Sequence, residues 1–175
     1  MTTATQTSIP TGSWVTDRVH STIGFSVKHL GIATVRGKFD EFEGRLEIGE
    51  DLSSARISGL AKAASIDTGE PQRDAHLRSP DFFDVEHHGQ VRFVSDSATL
   101  DGDVMKVRGH LHAAGKDIPL ELDATVRRVD GQLELDAVTE ADHRQLGMTW
   151  SPLGILRAPS KLIVRGRLVR QGGQR

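Results

Sequence analysis

The chain has 175 residues, of which 37% are hydrophobic and 26% charged, and a net charge of −2. These values fit one globular domain with a sizeable core and exclude a disordered chain. The small net charge argues against a nucleic-acid-binding field, and the absence of cysteine excludes disulfides, thiolate metal sites and a cysteine nucleophile.

Residues 1–10 carry no positive segment ahead of an apolar run, so no secretory signal is read there. No stretch approaches the ~20 apolar residues of a membrane span. The expectation is a cytoplasmic protein with a flexible lead at 1–12, a single domain at 13–170 and a flexible tail at 171–175.

A short first strand is expected at 14–17. In 21–29, Ile23, Phe25, Val27 and His29 alternate with Thr22, Gly24, Ser26 and Lys28, the period of a half-buried strand. His29 shares the apolar face; a satisfied core histidine is favoured there over a polar contact to a buried ligand. In 35–48 the apolar phase flips: Val35, Gly37 and Phe39 are followed by Phe42, Gly44, Leu46 and Ile48. The slip at Asp40-Glu41 predicts one long strand with a β-bulge, because a two-residue hairpin there would need Gly or Asn. In 55–66, Ala55, Ile57, Gly59, Ala61 and Ala63 share a face. Such small inward residues either leave room inside the sheet or are covered by large neighbours.

The stretch 66–84 breaks the alternation. Asp67 and Thr68 are expected to cap one helical turn, and Ser79-Pro80 to start a second. Phe82 and Phe83 in that second turn cannot both face water cheaply, so at least one plugs the core or lids a cavity. Four strands follow, at 91–100, 104–113, 118–126 and 133–141, with hairpin turns at Asp101-Gly102 and Asp130-Gly131. Residues 146–159 read as an apolar loop punctuated by Gly and Pro, and 161–170 as the closing strand. The result is an all-β chain of about eight strands, an elongated antiparallel barrel with a short helical insert, at a strand count that can hold one small ligand.

Chemistry-bearing patterns are sparse. His110 and His112 share one strand face, as two zinc ligands could, but Lys106 and Arg108 on that face favour a solvated surface. Ser21, His20 and Asp17 invite a triad reading, which fails because strand neighbours point to opposite faces. Gly-x-Ser-x-Gly, His-Glu-x-x-His and P-loop patterns are absent. Arg73-Asp74 with His76 reads as a local ionic brace rather than an anion site. No cofactor and no metal are called for.

Together these segments resemble the YceI-like family. The residues that carry the resemblance are His20-Ser21; Phe25, Val27 and His29; Gly37-x-Phe39, Phe42 and Gly44; Arg73-Asp74-x-His76-Leu77-x-Ser79-x-Asp81-Phe82-Phe83-Asp84; and His143-Arg144 before Leu146-Gly147-Met148. The match runs over 14–169. It implies a lipocalin-like barrel that binds, carries or sequesters a long-chain polyisoprenoid, isoprenoid quinone or related lipid without catalysis. It further implies a cavity lined by Phe25, Val27, Phe39, Phe42, Phe83, Phe93, Met105, Leu111, Leu122, Met148 and Trp150. His29 is expected near a head group, Arg73 and Asp74 in structural roles, and a homodimer as a modest expectation. The chain departs from many relatives at His88-Gly89, in 111–115, and in its lack of an export signal. A His-based lipid-modifying or metal-dependent enzyme, or a filled barrel acting as an interaction module, are the alternatives.

Overall fold

In the computed structural model, residues 9–30, 32–51, 54–151 and 156–172 are described. The elements are β1 (Gly12–Thr16), β2 (Thr22–His29), β3 (Ala33–Phe39), β4 (Phe42–Ile48), β5 (Arg56–Lys62), β6 (Ile66–Asp67), α1 (Pro71–Arg78), β7 (Gln90–Asp101), β8 (Val104–Ala113), β9 (Lys116–Val129), β10 (Gln132–Ala141) and β11 (Leu156–Arg170). Every pairing is antiparallel. The ring runs β1-β4-β5-β7-β8-β9-β10-β11, and β11 pairs back onto β1 to close it. This is the all-β eight-strand barrel with one short helix that the sequence predicts.

Three of the eight strands are broken. β2 continues β1 beyond a 3₁₀ turn at Arg18–His20, and β6 continues β5 beyond another at Ala63–Ser65. Between them, β3 leads into β4 through a bend at Asp40-Glu41. The predicted bulge is thus redistributed: the middle strand kinks, and the extra residues sit in its two partners' 3₁₀ turns. The bend is held by the Asp40 N–H donating to the Ser65 carbonyl (3.1 Å) and the Lys62 N–H donating to the Glu41 carbonyl (2.9 Å). The phase flip is real, since Phe39 and Phe42 are both buried.

The helical insert differs from expectation in two respects. There is one helix, α1, with Pro71 in its first turn; the Ser79-Pro80 segment forms turns instead. Asp67 and Thr68 do not cap it. Asp67 Oδ1 accepts from the Gly69 N–H, and Asp74, from inside the helix, accepts from both the Thr68 N–H (2.9 Å) and the Thr68 hydroxyl. Arg73 donates to the Thr68 hydroxyl and carbonyl, and its charge meets Glu70 at 3.2 Å. Arg78 donates to the carbonyls of Ala64 (3.0 Å) and Ile66 (3.1 Å). Arg73 and Asp74 are the braces that sequence reasoning expects.

Asp130 and Gly131 both take positive φ, 52° and 77°, as a two-residue hairpin demands. Between β7 and β8 the central pair is Gly102-Asp103, because Asp101 is already paired with Val104. β11 starts five residues earlier than predicted. Pro159 lies where the β11–β2 register shifts between Arg157 and Lys161, a place where a missing N–H is tolerated.

The barrel is filled at one end. Trp14, Leu46, Ile48, Met105, Val107, Val126 and Leu133 pack there, and Ile9 joins them from the chain's start. Met105, expected in the cavity, is 1% exposed in this plug. Met105→Asp would bury a carboxylate with no cation beside it. Urea titration should show a loss of about 4 kcal/mol or an unfolded chain; a near-wild-type midpoint would refute the plug assignment.

Candidate functional site

Above the plug the inward rows continue without filling the barrel. A cavity of about 850 Å³ opens there, at the upper end of ordinary ligand pockets. One wall comprises Phe39, Phe42 and Ala61 with Ile23 and Phe25; the other comprises Leu111, Leu120, Leu146 and Met148 with Leu162. Leu77, Phe83 and Val91 pack against both walls. The insert therefore roofs the cavity, and Phe83 is its apolar contact with the interior.

The small inward residues play two different parts. A side chain at Gly37 would strike the Phe25 ring, and one at Gly109 would strike the Val94 carbonyl and the Phe93 ring, so these gaps are already taken by neighbours. At Gly59 a Cβ would meet nothing nearer than the Glu43 carbonyl at 3.9 Å, and Gly59 and Ala61 both border the cavity. The room inside comes from β5.

The aromatic rings form two groups. Phe25, Phe39 and Phe83 run in series with centroids 6.0 and 5.8 Å apart. His76 packs edge-on against Phe82 at 5.2 Å and Trp150 at 4.3 Å, joining the insert to the 143–151 loop. Asp81 fixes the His76 ring through Nε2 at 2.8 Å. Trp150 remains 41% exposed at the rim.

Of the twelve residues proposed from sequence, eleven line this cavity: Phe25, Val27, His29, Phe39, Phe42, Phe83, Phe93, Leu111, Leu122, Met148 and Trp150. Met105 does not. The apolar loop around them is described only to Ser151; its residues 152–155 lie outside the described residues.

Sequence reasoning missed a polar pair in the wall. His143, in a 3₁₀ turn over His143–Leu146, meets the Ser160 Oγ through Nδ1 at 2.7 Å, and Ser160 is buried. Both line the cavity. The available signal was parity: Ser160 falls on the same inward row as Leu162, Val164, Gly166 and Leu168, but the predicted strand began one residue later. Burial pushes the His143 pKa below the ordinary histidine value; Asp142 opposes this and Arg144 reinforces it.

The two histidines on the outer face of β8 pair with carboxylates. His110 pairs with Asp96 and His112 with Asp117, each at 2.8 Å. Among the described residues no three metal-binding side chains cluster. Ser21 exchanges hydrogen bonds with the backbone of Arg167, while His20 turns to Asp17 at the surface (2.7 Å), so these residues form no triad.

His143 gives a pH signature. An unfolded chain protonates this imidazole near pH 6.5, whereas the folded protein resists until lower pH, so stability falls as pH drops through that window. Melting at pH 7.5 and 5.5 should show a smaller acid-induced drop for His143→Gln than for wild type; equal drops would show that this ring does not stay neutral.

Residues 14–165 match the family model described as the YceI-like domain. A UPF0312 protein of Pectobacterium atrosepticum (ECA1782) is 37% identical over 106 residues, covering 60% of this chain and 55% of that protein. Protein YceI of Escherichia coli O157:H7 is 33% identical over 106 residues, covering 60% and 56%. The chain thus spans little more than half the length of these relatives. Among solved structures, BcnA of Burkholderia cenocepacia superposes with a TM-score of 0.81 at 18% identity, over 87% of this chain and 98% of that one. A polyisoprenoid binding domain from Saccharophagus degradans gives 0.71 at 11% identity, over 92% and 99%. At such identities the superpositions speak for the fold, while the domain match speaks for descent: the chain belongs to the YceI-like family.

Proposed function

We propose that this protein is a non-enzymatic carrier that holds one extended, largely apolar chain, a polyisoprenoid, isoprenoid quinone or similar amphiphile, inside its barrel. The observation that carries this reading is the continuous cavity of about 850 Å³ between two apolar walls, with Phe83 lowered into it from the insert. A protein whose only task was to present its outer surface would gain stability by filling that space. The polyisoprenoid-binding name of one structural neighbour supports the ligand class.

Burial of the chain against Phe25, Phe39, Phe83 and Met148 supplies the affinity, at roughly 25 cal/mol per Å² removed from water. The His76–Trp150 contact joins insert and loop at the rim, so entry on this side requires that contact to part.

Organic extraction of protein purified from its native host, followed by mass spectrometry, should yield one isoprenoid or fatty-chain species near stoichiometry. Phe83→Asp should lower affinity for that species about 10- to 100-fold, the effect of losing one buried aromatic side chain. Because Phe83 sits at the cavity and not in the plug, the variant should stay folded, with a melting temperature lowered only by the loss of its packing against the two walls. Full ligand retention by this variant would sink the cavity assignment.

A further inference from the structure

An apolar cavity alone would accept any greasy chain of suitable length, yet this wall contains one buried polar pair. Ser160 projects inward from β11 opposite Ala141, and its hydroxyl is joined to His143 Nδ1 at 2.7 Å. The His143 Nε2 makes no hydrogen bond to any described residue. It is not sealed either, since no buried side-chain nitrogen or oxygen among the described residues lacks a partner. We propose that the His143–Ser160 pair is the recognition point for a neutral oxygenated head group, a hydroxyl or carbonyl, on the chain the barrel holds. This inference rests on the carrier reading and refines it.

Two arguments set the class. First, the pair always offers one donor to an oxygen. If the Ser160 hydroxyl donates to Nδ1, then Nε2 carries the ring proton and can donate; if Nδ1 donates to Ser160, the serine hydroxyl is the free donor. Second, among the described residues no cation is hydrogen-bonded or ion-paired to the pair to balance an anion, and the arginines Arg36, Arg45 and Arg165 at the cavity's edge alternate along their strands with the inward residues. Arg144, next to His143, is bound through both Nε and Nη2 to Asp142 at 2.9 Å. Arg73 is held by Thr68 and Glu70. No carboxylate or lysine of the described residues lines the cavity. A phosphate or carboxylate placed at the pair would be desolvated without compensation, whereas a neutral oxygen gains a hydrogen bond that water no longer supplies. The downward push of burial on the His143 pKa keeps the ring neutral for this role.

The test uses the full chain stripped of lipid and three probes of equal length: a C20 isoprenoid alcohol, its monophosphate and the saturated C20 hydrocarbon. The alcohol should bind wild type about three- to tenfold more tightly than the hydrocarbon, the value of one net hydrogen bond. His143→Leu and Ser160→Ala should erase that difference by weakening the alcohol alone, and His143→Gln should keep part of it. The His143 imidazole 15N signals should move on adding the alcohol and stay in place with the hydrocarbon. The inference is overturned if both variants weaken alcohol and hydrocarbon equally, which would leave the pair a wall-shaping role, or if wild type prefers the monophosphate. If wild type binds neither uncharged probe, the carrier reading itself fails, and that outcome is distinct because the hydrocarbon does not report on the pair.

Discussion

The molecule depends on one seam. Three residue pairs, Trp14 with Arg170, Val15 with Val169 and Thr16 with Leu168, close the ring between β1 and β11. Above the seam β11 pairs with β2 instead, so one strand serves both halves of a broken partner. Ser21 bridges the break: its hydroxyl accepts from the Arg167 N–H and donates to the Arg167 carbonyl, replacing a backbone pair. Trp14 is buried beneath the seam and the Arg170 guanidinium lies over its ring at 5.2 Å. Open this seam, and every inward row from Leu46 to Leu168 faces water; a closed sheet has no edges to protect, whereas an open one has two.

Closure at eight strands creates a problem of size. Such a barrel is just wide enough for its own side chains to fill or for one small ligand, and this chain fills one end and leaves a cavity at the other. Around Met105 and Leu133 large residues meet from opposite walls. Around Gly59 and Ala61 they do not, and the span is left to Phe39, Phe83 and the space between. The roof over that space is held from outside. Arg78 reaches back to the carbonyls of Ala64 and Ile66, and Asp74 grips Thr68, so these polar contacts anchor the insert at its root while Leu77 and Phe83 pack against the walls of the cavity.

Much of this was legible in the residues. Alternation identified the inward rows of β2, β8, β9 and β10, and the flip between Phe39 and Phe42 exposed the kink. It could not reveal depth. Met105 and Leu111 share one row of β8 and differ only in height along the barrel: one lies in the plug, the other at the cavity. Height depends on how strands are staggered around the ring, which no single strand records. The helix cap was misread because Asp67 and Thr68 have the right side chains, yet Asp67 accepts from the Gly69 N–H ahead of the helix, and Thr68 is itself held through its N–H and hydroxyl by Asp74, six residues on. The turn at Ala114-Gly115 escaped because Ala114 takes a φ of 51°, a conformation alanine rarely announces. His143 and Ser160 were missed together, since the pair exists only when a 3₁₀ turn and a strand seventeen residues later are brought side by side.

The seam also orders events in time. β7 to β11 follow one another as neighbours in sequence and in space, so each ladder can form as soon as its second strand exists. The β1–β11 pairing is different: it joins the two ends of the domain, with the Arg170 guanidinium bound to the Thr11 carbonyl 159 residues away. Contacts of such separation are slow to form, because the closure entropy must be met before they contribute. A chain synthesised from its N-terminus keeps β1 unpartnered on that side until its last strand emerges. The chamber is thus the last part of the molecule to come into being. Anything held there would either enter a finished barrel or be enclosed at the moment β11 docks, too late to guide an earlier step of folding.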